Sequence, residues 1–300
     1  MKHYSATQTR EALPFPDLVE ALAQTVQAYA DGAVICPERS ITPSPHSSTL
    51  LLNMPSVSQD LLVTKLLTLC PDNAGTSRPT IQGQVTCANS RTGELLFSLD
   101  GPTVTMRRTS AVSLLGIRLL ASGPVRRALM IGTGTQARAH CEAFAALYPN
   151  ITLVVRARSP EAAAAFCQQQ TDLPLAIRPE QPDEPPFDVV LTVTSSREIL
   201  YDGPPDPACL VIGVGAFQPD MIEVGPAIVR NSVVYVDDPI GAPGEAGDLI
   251  QAGIDWKTVR PLASALHTPP PAGRPVFFKS VGCAAWDLAA CRVLAPRPAP

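Results

Sequence analysis

The feature that most constrains the fold of this chain is an apolar, strand-like run that leads directly into a glycine turn, Ala128-Leu-Met-Ile-Gly132-Thr-Gly134-Thr-Gln136-Ala137. Gly132 permits a tight turn, and Gly134 leaves room for the backbone to approach a pyrophosphate. Ala137 stands at the third position of a G-x-G-x-x-G/A fingerprint. A helix that begins near Gln136 directs its free N–H groups towards the phosphates. The run therefore predicts a dinucleotide-binding turn.

The segments around this turn read as strand, helix and strand, which is the context that the fingerprint requires. Continuous apolar strands are typical of a parallel sheet that is covered on both faces. We therefore predict an α/β fold with a Rossmann-type, doubly wound parallel sheet; the alternative is a glycine turn in an α/β domain that binds no cofactor. The predicted strands are 127–132, 151–156, 188–193, 210–213 and 233–236, and the predicted helices are 136–148 and 160–170.

The first third of the chain has a different pattern. An amphipathic helix is predicted over 15–30, and strands and turns are predicted over 33–110, including a hairpin of 81–87 with 94–100. A helix is predicted over 110–121, with Thr109 as its N-cap. Near the carboxyl terminus, a last helix is predicted over 284–294 and a frayed tail over 295–300.

Composition excludes several classes of protein. The net charge of −4 gives no electrostatic reason to bind nucleic acid or an anionic membrane, and no apolar run has the length of a membrane span. The four histidines are scattered and the eight cysteines form no C-x-x-C pair, so no metal site is predicted. Residues 1–10 lack the apolar core of a signal peptide, and the cysteines lie in apolar surroundings. These features favour reduced thiols and a cytoplasmic location.

The end of the second predicted strand indicates which dinucleotide is bound. Folds that prefer NAD usually carry an acidic residue there, which binds the ribose hydroxyls. This chain has Arg156, Arg158 and Ser159 instead. Two guanidiniums and a hydroxyl suit a 2′-phosphate, so we expect NADPH, with NADH as second choice. The alternative is that one or both arginines are solvated in a loop.

Lys65 has the most informative side chain of the first domain. If 61–69 is a strand, Lys65 shares a face with Leu61, Val63, Leu67 and Leu69. A lysine is rarely left in such a place without a partner, and burial would lower its pKa and make it a usable proton donor near neutral pH. The alternative is a lysine at a strand edge whose ammonium group reaches water.

Two arginines are candidates to bind a carboxylate. Arg39 follows an apolar strand, and Arg108 precedes the helix predicted from residue 110. An arginine beside a helix N-terminus favours an anion, because both the guanidinium and the free N–H groups donate to it. The alternative for each is a surface salt bridge.

A series of short segments carries a resemblance to a known family. These segments are Lys65 to Asn73, Arg78 to Gly83, Thr92 to Glu94, Asp100, Arg108 to Ala111, Gly132 to Gln136, Thr192 to Ser196, Glu245 to Asp248 and Phe278 to Gly282. With them, the chain resembles the ornithine cyclodeaminase/mu-crystallin family along nearly its whole length. The resemblance implies a homodimer, with a dimerisation and substrate-binding α+β domain of residues 1–115, completed by the carboxyl-terminal helix 278–296, and a Rossmann NAD(P)-binding domain of residues 116–277.

Site residues follow from the resemblance and from the motifs together. By resemblance, Lys65 matches the family's active-site lysine, and Arg39 and Arg108 match the arginines that hold the substrate carboxylate. Thr80 and Ser280 match positions that contact the cofactor. The complete set of predicted cofactor-binding residues is Thr80, Arg108, Gly132, Gly134, Thr135, Gln136, Arg156, Arg158, Ser159, Thr194, Gly213, Val214 and Ser280.

Phe217 is a departure from the cyclodeaminases, which carry an aspartate at its position. A phenyl ring cannot accept a proton, but it can pack on a flat apolar ring, so Phe217 is a predicted substrate contact. Asp220 could replace the aspartate only if the loop took another course. The Gly215-Ala-Phe217 sequence resembles the branch that reduces cyclic ketimines.

The expected reaction is therefore NAD(P)H-dependent reduction of Δ1-pyrroline-2-carboxylate to L-proline, with Δ1-piperideine-2-carboxylate, which gives L-pipecolate, as a second substrate. One additional methylene is discriminated poorly in an apolar pocket. Three alternatives remain: an ornithine cyclodeaminase that uses bound NAD+, an alanine dehydrogenase, and a non-catalytic NADPH-binding protein similar to a crystallin.

Overall fold

The computed structural model describes residues 1–295 of the 300-residue chain. Residues 296–300 of the tail predicted over 295–300 lie outside the described residues, as does residue 296, the last of the predicted carboxyl-terminal helix. The backbone divides into two compact units: residues 1–109 with the chain from Cys283 onwards, and Ser110–Gly282. From the sequence alone, the boundaries were placed at 115/116 and 277/278.

Strands and helices account for most of the described chain. The strands are β1 (Lys2–His3), β2 (Val34–Ile35), β3 (Ser40–Pro43), β4 (Leu50–Ser58), β5 (Leu61–Leu69), β6 (Ile81–Asn89), β7 (Leu95–Asp100), β8 (Arg127–Ile131), β9 (Thr152–Arg156), β10 (Ala176–Pro179), β11 (Val189–Thr192), β12 (Leu210–Gly213), β13 (Val233–Val236), β14 (Arg260–Pro261) and β15 (Val276–Lys279). The α-helices are α1 (Ala6–Ala12), α2 (Phe15–Ala30), α3 (Gly101–Leu120), α4 (Thr135–Leu147), α5 (Pro160–Gln168), α6 (Pro226–Asn231), α7 (Ala242–Glu245), α8 (Gly247–Ala252) and α9 (Ala284–Leu294). Short 3₁₀ turns lie at Pro71–Asn73, Trp256–Thr258 and Leu262–Leu266.

The first unit is built on a sheet in the order β1-β7-β6-β5-β4-β2, with β3 also paired to β4. The pairs formed by β2 to β7 are antiparallel, as in the predicted hairpin of β6 with β7, whereas β1 runs parallel to β7. Helix α9 packs on β4, β5 and β6, and α2 packs on α9, where Tyr29 and Trp286 make an edge-to-face contact. Helices α2 and α9 therefore cover one face of the sheet.

Strand β5 has the predicted alternation. Leu61, Val63 and Leu67 are buried, and Lys65 lies among them with only 2% of its surface exposed. The strand assignment for 61–69 is confirmed, and the alternative of a lysine that reaches water at a strand edge is wrong.

The second unit contains the predicted parallel sheet. Its order is β10-β9-β8-β11-β12-β15-β13-β14, and every neighbouring pair is parallel. The strands predicted at 210–213 and 233–236 have the observed bounds. Strand β15 was not predicted as a strand; it is the last strand of the described chain and lies between β12 and β13. The carboxyl-terminal helix predicted over 278–296 is wrong at its start, because Phe278 and Lys279 belong to β15 and α9 begins at Ala284. The Rossmann-type α/β fold is confirmed.

The helix predicted over 110–121 is wrong at its start. Helix α3 begins at Gly101, because the Asp100 carboxylate accepts the Thr103 amide at 2.9 Å and Pro102 lies in the first turn, where its missing N–H has no cost. Thr109 is therefore within the helix and is not its N-cap. Arg108 lies in the helix interior, so the argument that a helix N-terminus assists Arg108 in binding an anion is also wrong.

Within residues 1–295, no helix combines the length and the hydropathy that a membrane span needs. The same residues hold no group of three or more His, Cys, Asp or Glu side chains that could bind a metal ion.

Candidate active site and nucleotide-binding loops

The glycine turn of the second unit has the conformation that the fingerprint predicts. Gly132 has φ +124°, a value that favours glycine, and a Cβ there would lie 3.0 Å from Cγ2 of Thr194 and from the carbonyl oxygen of Val193. The Gly132 amide donates to the carbonyl of Arg156 at 2.9 Å, which joins the ends of β8 and β9. Only glycine suits this position.

The start of α4 is open. Gly134 is its N-cap residue and makes no side-chain hydrogen bond, and a Cβ at Gly134 would meet nothing within 4 Å. The first turn carries no acidic residue. The Oε1 atom of Gln136 is buried without a hydrogen-bond partner in the described part of the chain. Free amides at a helix start, with open space at Gly134, suit the pyrophosphate of a dinucleotide, so the residues present fit such a cofactor.

His140 is a buried residue of the same helix, and its ring makes two contacts there. Its Nδ1 lies 2.7 Å from the carbonyl oxygen of Gln136, and its Nε2 lies 2.9 Å from the hydroxyl of Ser113. Burial lowers the pKa of His140 to about 4, so the imidazole is neutral near pH 7. A neutral ring donates from Nδ1 to Gln136 and accepts from Ser113 at Nε2.

The two arginines at the end of β9 differ in their contacts. Arg156 is held by Glu180 through two hydrogen bonds, of 2.6 Å from Nε and 2.5 Å from Nη2, and the pair raises the pKa of Arg156. Arg158 is exposed and has no side-chain partner among the described residues. The Ser159 hydroxyl accepts the Ala162 amide at 3.2 Å as the N-cap of α5. Arg158 is therefore the guanidinium that remains available to a 2′-phosphate.

The predicted cofactor residues after β11, β12 and β15 lie in loops at the carboxyl ends of neighbouring strands. The Val214 amide donates to Thr192 at 3.0 Å, and the Ser280 amide donates to Gly213 at 3.0 Å. The Ser280 hydroxyl donates to Asp237 at 2.8 Å. In an open parallel sheet, this edge is where ligands bind.

In the first unit, Lys65 is paired with a carboxylate that the sequence reasoning did not identify. Nζ of Lys65 lies 2.9 Å from Oδ2 of Asp287, which is on α9 and fully buried. Nε of Arg108 lies 3.4 Å from Oδ1 of the same carboxylate, and Arg108 is itself 6% exposed. One buried carboxylate therefore bridges two buried cations.

The surroundings of Lys65 in this cluster lower its pKa towards neutral pH. Burial lowers the pKa of Lys65 to about 8; Asp287 opposes this effect, whereas the positive charges of Arg108 and Arg39 add to it. Arg39 is half-buried, immediately before β3. The structure thus brings together three of the predicted residues, Lys65, Arg39 and Arg108. Two cations, Lys65 and Arg108, share the one carboxylate of Asp287, which leaves an excess of positive charge that suits an anionic ligand.

The other predicted contacts lie on loops. Thr80 is half-buried just before β6, and its carbonyl accepts the Cys70 amide at 2.8 Å. Phe217 is 42% exposed in the loop after β12. Asp220 of that loop accepts a hydrogen bond from Nε of Arg197 at 2.8 Å, and both side chains of this pair are mostly exposed.

Three functional candidates were missed: Asp287, Glu180 and Glu223. Each of them contacts at least one side chain that is distant in the sequence: Asp287 contacts Lys65, Glu180 contacts Arg156, and Glu223 contacts Thr192. A signal was available for two of them, because Asp287 interrupts the apolar run 284–291 and Glu223 interrupts the apolar run 221–224. An isolated carboxylate in an apolar run needs a partner when it is buried.

Comparison with known proteins settles the family. Residues 2–297 match the model of the ornithine cyclodeaminase/mu-crystallin family. The chain belongs to this family. It is 46% identical over 291 residues to Δ1-pyrroline-2-carboxylate reductase 1 of Burkholderia multivorans, and 46% identical to the Δ1-pyrroline-2-carboxylate/Δ1-piperideine-2-carboxylate reductase of Azospirillum brasilense; each alignment covers 96% of this chain and 93% of the relative. Identity to the ketimine reductase mu-crystallin of Mus musculus is 31%, over 94% of this chain and 91% of that protein.

Solved structures share the fold of this family member. A Thermococcus litoralis Δ1-pyrroline-2-carboxylate reductase in complex with NADH and L-proline superimposes with a TM-score of 0.86 at 24% identity, over 98% of this chain and 96% of that chain. An archaeal alanine dehydrogenase dimer with bound NAD gives a TM-score of 0.86 at 20% identity, over 98% of this chain and 94% of that chain. At these identities the likeness concerns the fold.

Proposed function

We propose that this protein reduces Δ1-pyrroline-2-carboxylate to L-proline with NADPH, and with NADH less well. The observation that carries the proposal is the buried cluster of Lys65, Asp287 and Arg108, which combines a proton donor with positive charge for a carboxylate. The names of the two bacterial relatives at 46% identity support the same substrate.

The second unit holds the cofactor. Gly134 and the first amides of α4 would bind the pyrophosphate, and Arg158 with Ser159 would bind the 2′-phosphate of NADPH. When bound, the nicotinamide supplies a hydride. The guanidinium of Arg158 is available at the end of β9, and no acidic residue stands there. Both features favour NADPH over NADH.

The first unit binds and protonates the imino acid. Arg39 and Arg108 would hold the carboxylate, and Lys65 would give its proton to the ring nitrogen. Reduction adds a hydride to the imine carbon and a proton to the nitrogen, which converts the C=N bond into a secondary amine. With a pKa of about 8, Lys65 carries its proton near pH 7 and can release it without a large energetic penalty.

Asp287 keeps Lys65 in place and charged. Without a carboxylate nearby, the ammonium would be buried in an apolar face with the positive charge of Arg108 beside it. The carboxylate also lies next to Arg108, so it orients both cations. We propose Asp287 as a positioning residue for proton transfer.

Two features of the loop after β12 favour a reductase over an ornithine cyclodeaminase. Phe217 stands where cyclodeaminases carry an aspartate, and a phenyl ring offers no carboxylate to the substrate amine. The Asp220 carboxylate of this loop accepts a hydrogen bond from Arg197. Phe217 instead offers an apolar, 42% exposed ring that can pack on a five-membered or six-membered imino acid.

We further propose a homodimer formed through the first unit. Leu51 and Val57 of β4 and Leu66 of β5 share the face of the sheet opposite Lys65, and each is 41–42% exposed. An apolar sheet face of this kind is suited to an isologous contact with a second copy. The archaeal alanine dehydrogenase with this fold is described as a dimer. Light scattering of the purified protein would test this proposal, and a monomer at micromolar concentration would refute it.

A substrate panel tests the function. We expect NADPH oxidation with Δ1-pyrroline-2-carboxylate, a measurable rate with Δ1-piperideine-2-carboxylate, and L-proline or L-pipecolate as the product. Ornithine should release no ammonia, and pyruvate with ammonia should not consume NADPH. Ammonia release from ornithine without net NADPH consumption would instead establish a cyclodeaminase.

A further inference from the structure

We propose that Glu223 is a positioning residue that fixes the two loops after β11 and β12, and that it thereby sets the affinity for the dinucleotide. The inference rests on the proposed function only for the identity of the ligand. Glu223 follows the second of these loops and is completely buried.

The Glu223 carboxylate is fully occupied by donors from both loops. Its Oε1 accepts the amide of Thr194 at 2.6 Å and the hydroxyl of the same residue at 2.8 Å. Its Oε2 accepts the amides of Gly215 and Ala216 at 2.7 and 3.1 Å, and the hydroxyl of Thr192 at 2.9 Å. One side chain therefore joins the carboxyl ends of β11 and β12.

The loops approach so closely that the glycine between them is required. A Cβ at Gly215 would lie 1.7 Å from the carbonyl oxygen of Thr194 and 2.6 Å from Oε1 of Glu223. On the other side, Cγ2 of Thr194 is 3.0 Å from where a Cβ of Gly132 would be. Thr194 therefore lies beside the glycine turn that is proposed to face the pyrophosphate, and the amide of the preceding Val193 donates to the carbonyl of Ile131 at 2.9 Å.

Glu223 is itself held rigidly. Asp248 accepts the amides of Glu223 at 2.7 Å and Val224 at 3.0 Å, and it forms an ion pair of 2.8 Å with Lys279. Both Asp248 and Lys279 are completely buried. Asp248 and Lys279 therefore lie beneath the carboxyl ends of β12 and β15, where they fix the position of the Glu223 backbone.

The donor set requires a carboxylate at this position. Three of its five partners are backbone amides, which can only donate, and a carboxylate can only accept. Burial raises the pKa of Glu223, whereas the Lys279 ammonium and the Thr194 hydrogen bonds favour its charged form. Glu223→Gln keeps the shape of the side chain but replaces one acceptor with a donor that faces a donor.

The test is dinucleotide affinity together with amide exchange, measured without any imino acid. For Glu223→Gln we expect the Kd for NADPH, from fluorescence titration, to rise by about tenfold or more, the scale for leaving a buried amide unsatisfied. In the ligand-free protein, segments 192–196 and 213–217 should exchange faster than in the wild type.

The matched control is Asp188→Asn, at the amino end of the same sheet. The Asp188 carboxylate accepts the amides of Arg126 and Arg127 at 2.7 and 2.9 Å, so the variant loses the same kind of interaction far from the two loops along β11. It should lower Tm and leave the Kd for NADPH within about twofold of the wild type.

The outcomes separate this inference from the proposed function. If the wild type binds NADPH and folded Glu223→Gln binds it equally well, or if exchange in both segments is unchanged, the inference is wrong. If the wild type does not bind NADPH, the proposed cofactor is wrong, and the exchange data alone decide whether Glu223 anchors the loops. If Glu223→Gln does not fold, Thr192→Val, which removes one donor, should still raise the Kd about threefold; an unchanged Kd in that variant would overturn the inference.

Discussion

Nζ of Lys65 lies 2.9 Å from Oδ2 of Asp287, and both side chains are buried in the first unit. The two residues come from opposite ends of the sequence, one on β5 and the other on α9. Their contact provides the charge that a buried ammonium needs, and it leaves the pKa of Lys65 at about 8 because burial outweighs the attraction of Asp287.

Asp287→Asn should lower the activity, and the remaining activity should be lost at a lower pH than in the wild type. The proposed proton transfer requires a protonated Lys65, so kcat/KM of the wild type should fall as the pH rises through about 8. Removing the carboxylate removes the interaction that raises the pKa of Lys65 and leaves the positive charges of Arg108 and Arg39, so the decline should begin at lower pH. Stability should also fall, by about 3 kcal/mol, because a buried ammonium loses its partner.

Asp60→Asn is the control for this variant. Asp60 of the same unit accepts two hydrogen bonds from Arg292 of α9, but it is not among the charges that shift the pKa of Lys65. This variant should lose stability and retain the pH profile of the wild type. An unchanged alkaline limb in Asp287→Asn would contradict the proposed role of Asp287.

Arg108→Ala should raise the KM for the imino acid. Loss of a charge-assisted hydrogen bond to the carboxylate corresponds to about 1.5–3 kcal/mol, or roughly a tenfold to hundredfold change in kcat/KM. The neighbouring Arg107→Lys is the comparison, because Arg107 donates to the Leu13 carbonyl at 2.8 Å and stacks on Phe15. Steady-state kinetics should show a raised KM only in the Arg108 variant; a KM similar to that of the wild type would exclude carboxylate binding by Arg108.

Arg158→Ala should reduce the preference for NADPH over NADH. Its exposed guanidinium can bind a 2′-phosphate, so its loss should weaken the binding of NADPH by about tenfold and leave the binding of NADH unchanged. Arg156→Ala should instead lower stability, because Arg156 is already bound to Glu180. The ratio of kcat/KM for the two cofactors measures the difference. If Arg156→Ala changes that ratio more than Arg158→Ala does, the assignment is reversed.

His140 should make the protein sensitive to mild acid. The pKa of His140 is about 4 in the folded protein and 6.5 in the reference state, so the unfolded chain binds more protons between these values. The free energy of unfolding should therefore fall as the pH decreases from 6.5 towards 4, by roughly 3 kcal/mol in total. The free energy of unfolding, measured by urea denaturation at several pH values in this range, should depend less steeply on pH in His140→Asn than in the exposed control His46→Asn. Equal slopes would contradict the prediction.

Local sequence patterns predicted what depends on local structure. The alternation around Lys65 predicted a strand with this lysine on its apolar face, and the apolar runs at 210–213 and 233–236 predicted strands with the observed bounds. The glycine turn was predicted because φ and close backbone approach restrict the residue type at Gly132.

Features that depend on distant residues could not be predicted in this way. No periodicity indicates that Asp287 of α9 lies against Lys65, or that Glu180 occupies Arg156. Helix α3 was predicted to start nine residues too late, although Asp100, Gly101 and Pro102 form a helix-start signal, because the hairpin pattern before it was extended up to residue 110. The position of β15 between β12 and β13 is likewise set by the packing of the sheet.

The most direct test of the account compares the wild type with Lys65→Ala in NADPH oxidation on addition of Δ1-pyrroline-2-carboxylate, while NADPH binding is measured separately by fluorescence. We predict that the wild type consumes one NADPH for each L-proline formed, and that Lys65→Ala binds NADPH with a nearly unchanged Kd but turns over at least about a hundredfold more slowly. Turnover by Lys65→Ala at the rate of the wild type, or NADPH oxidation without formation of L-proline, would contradict it.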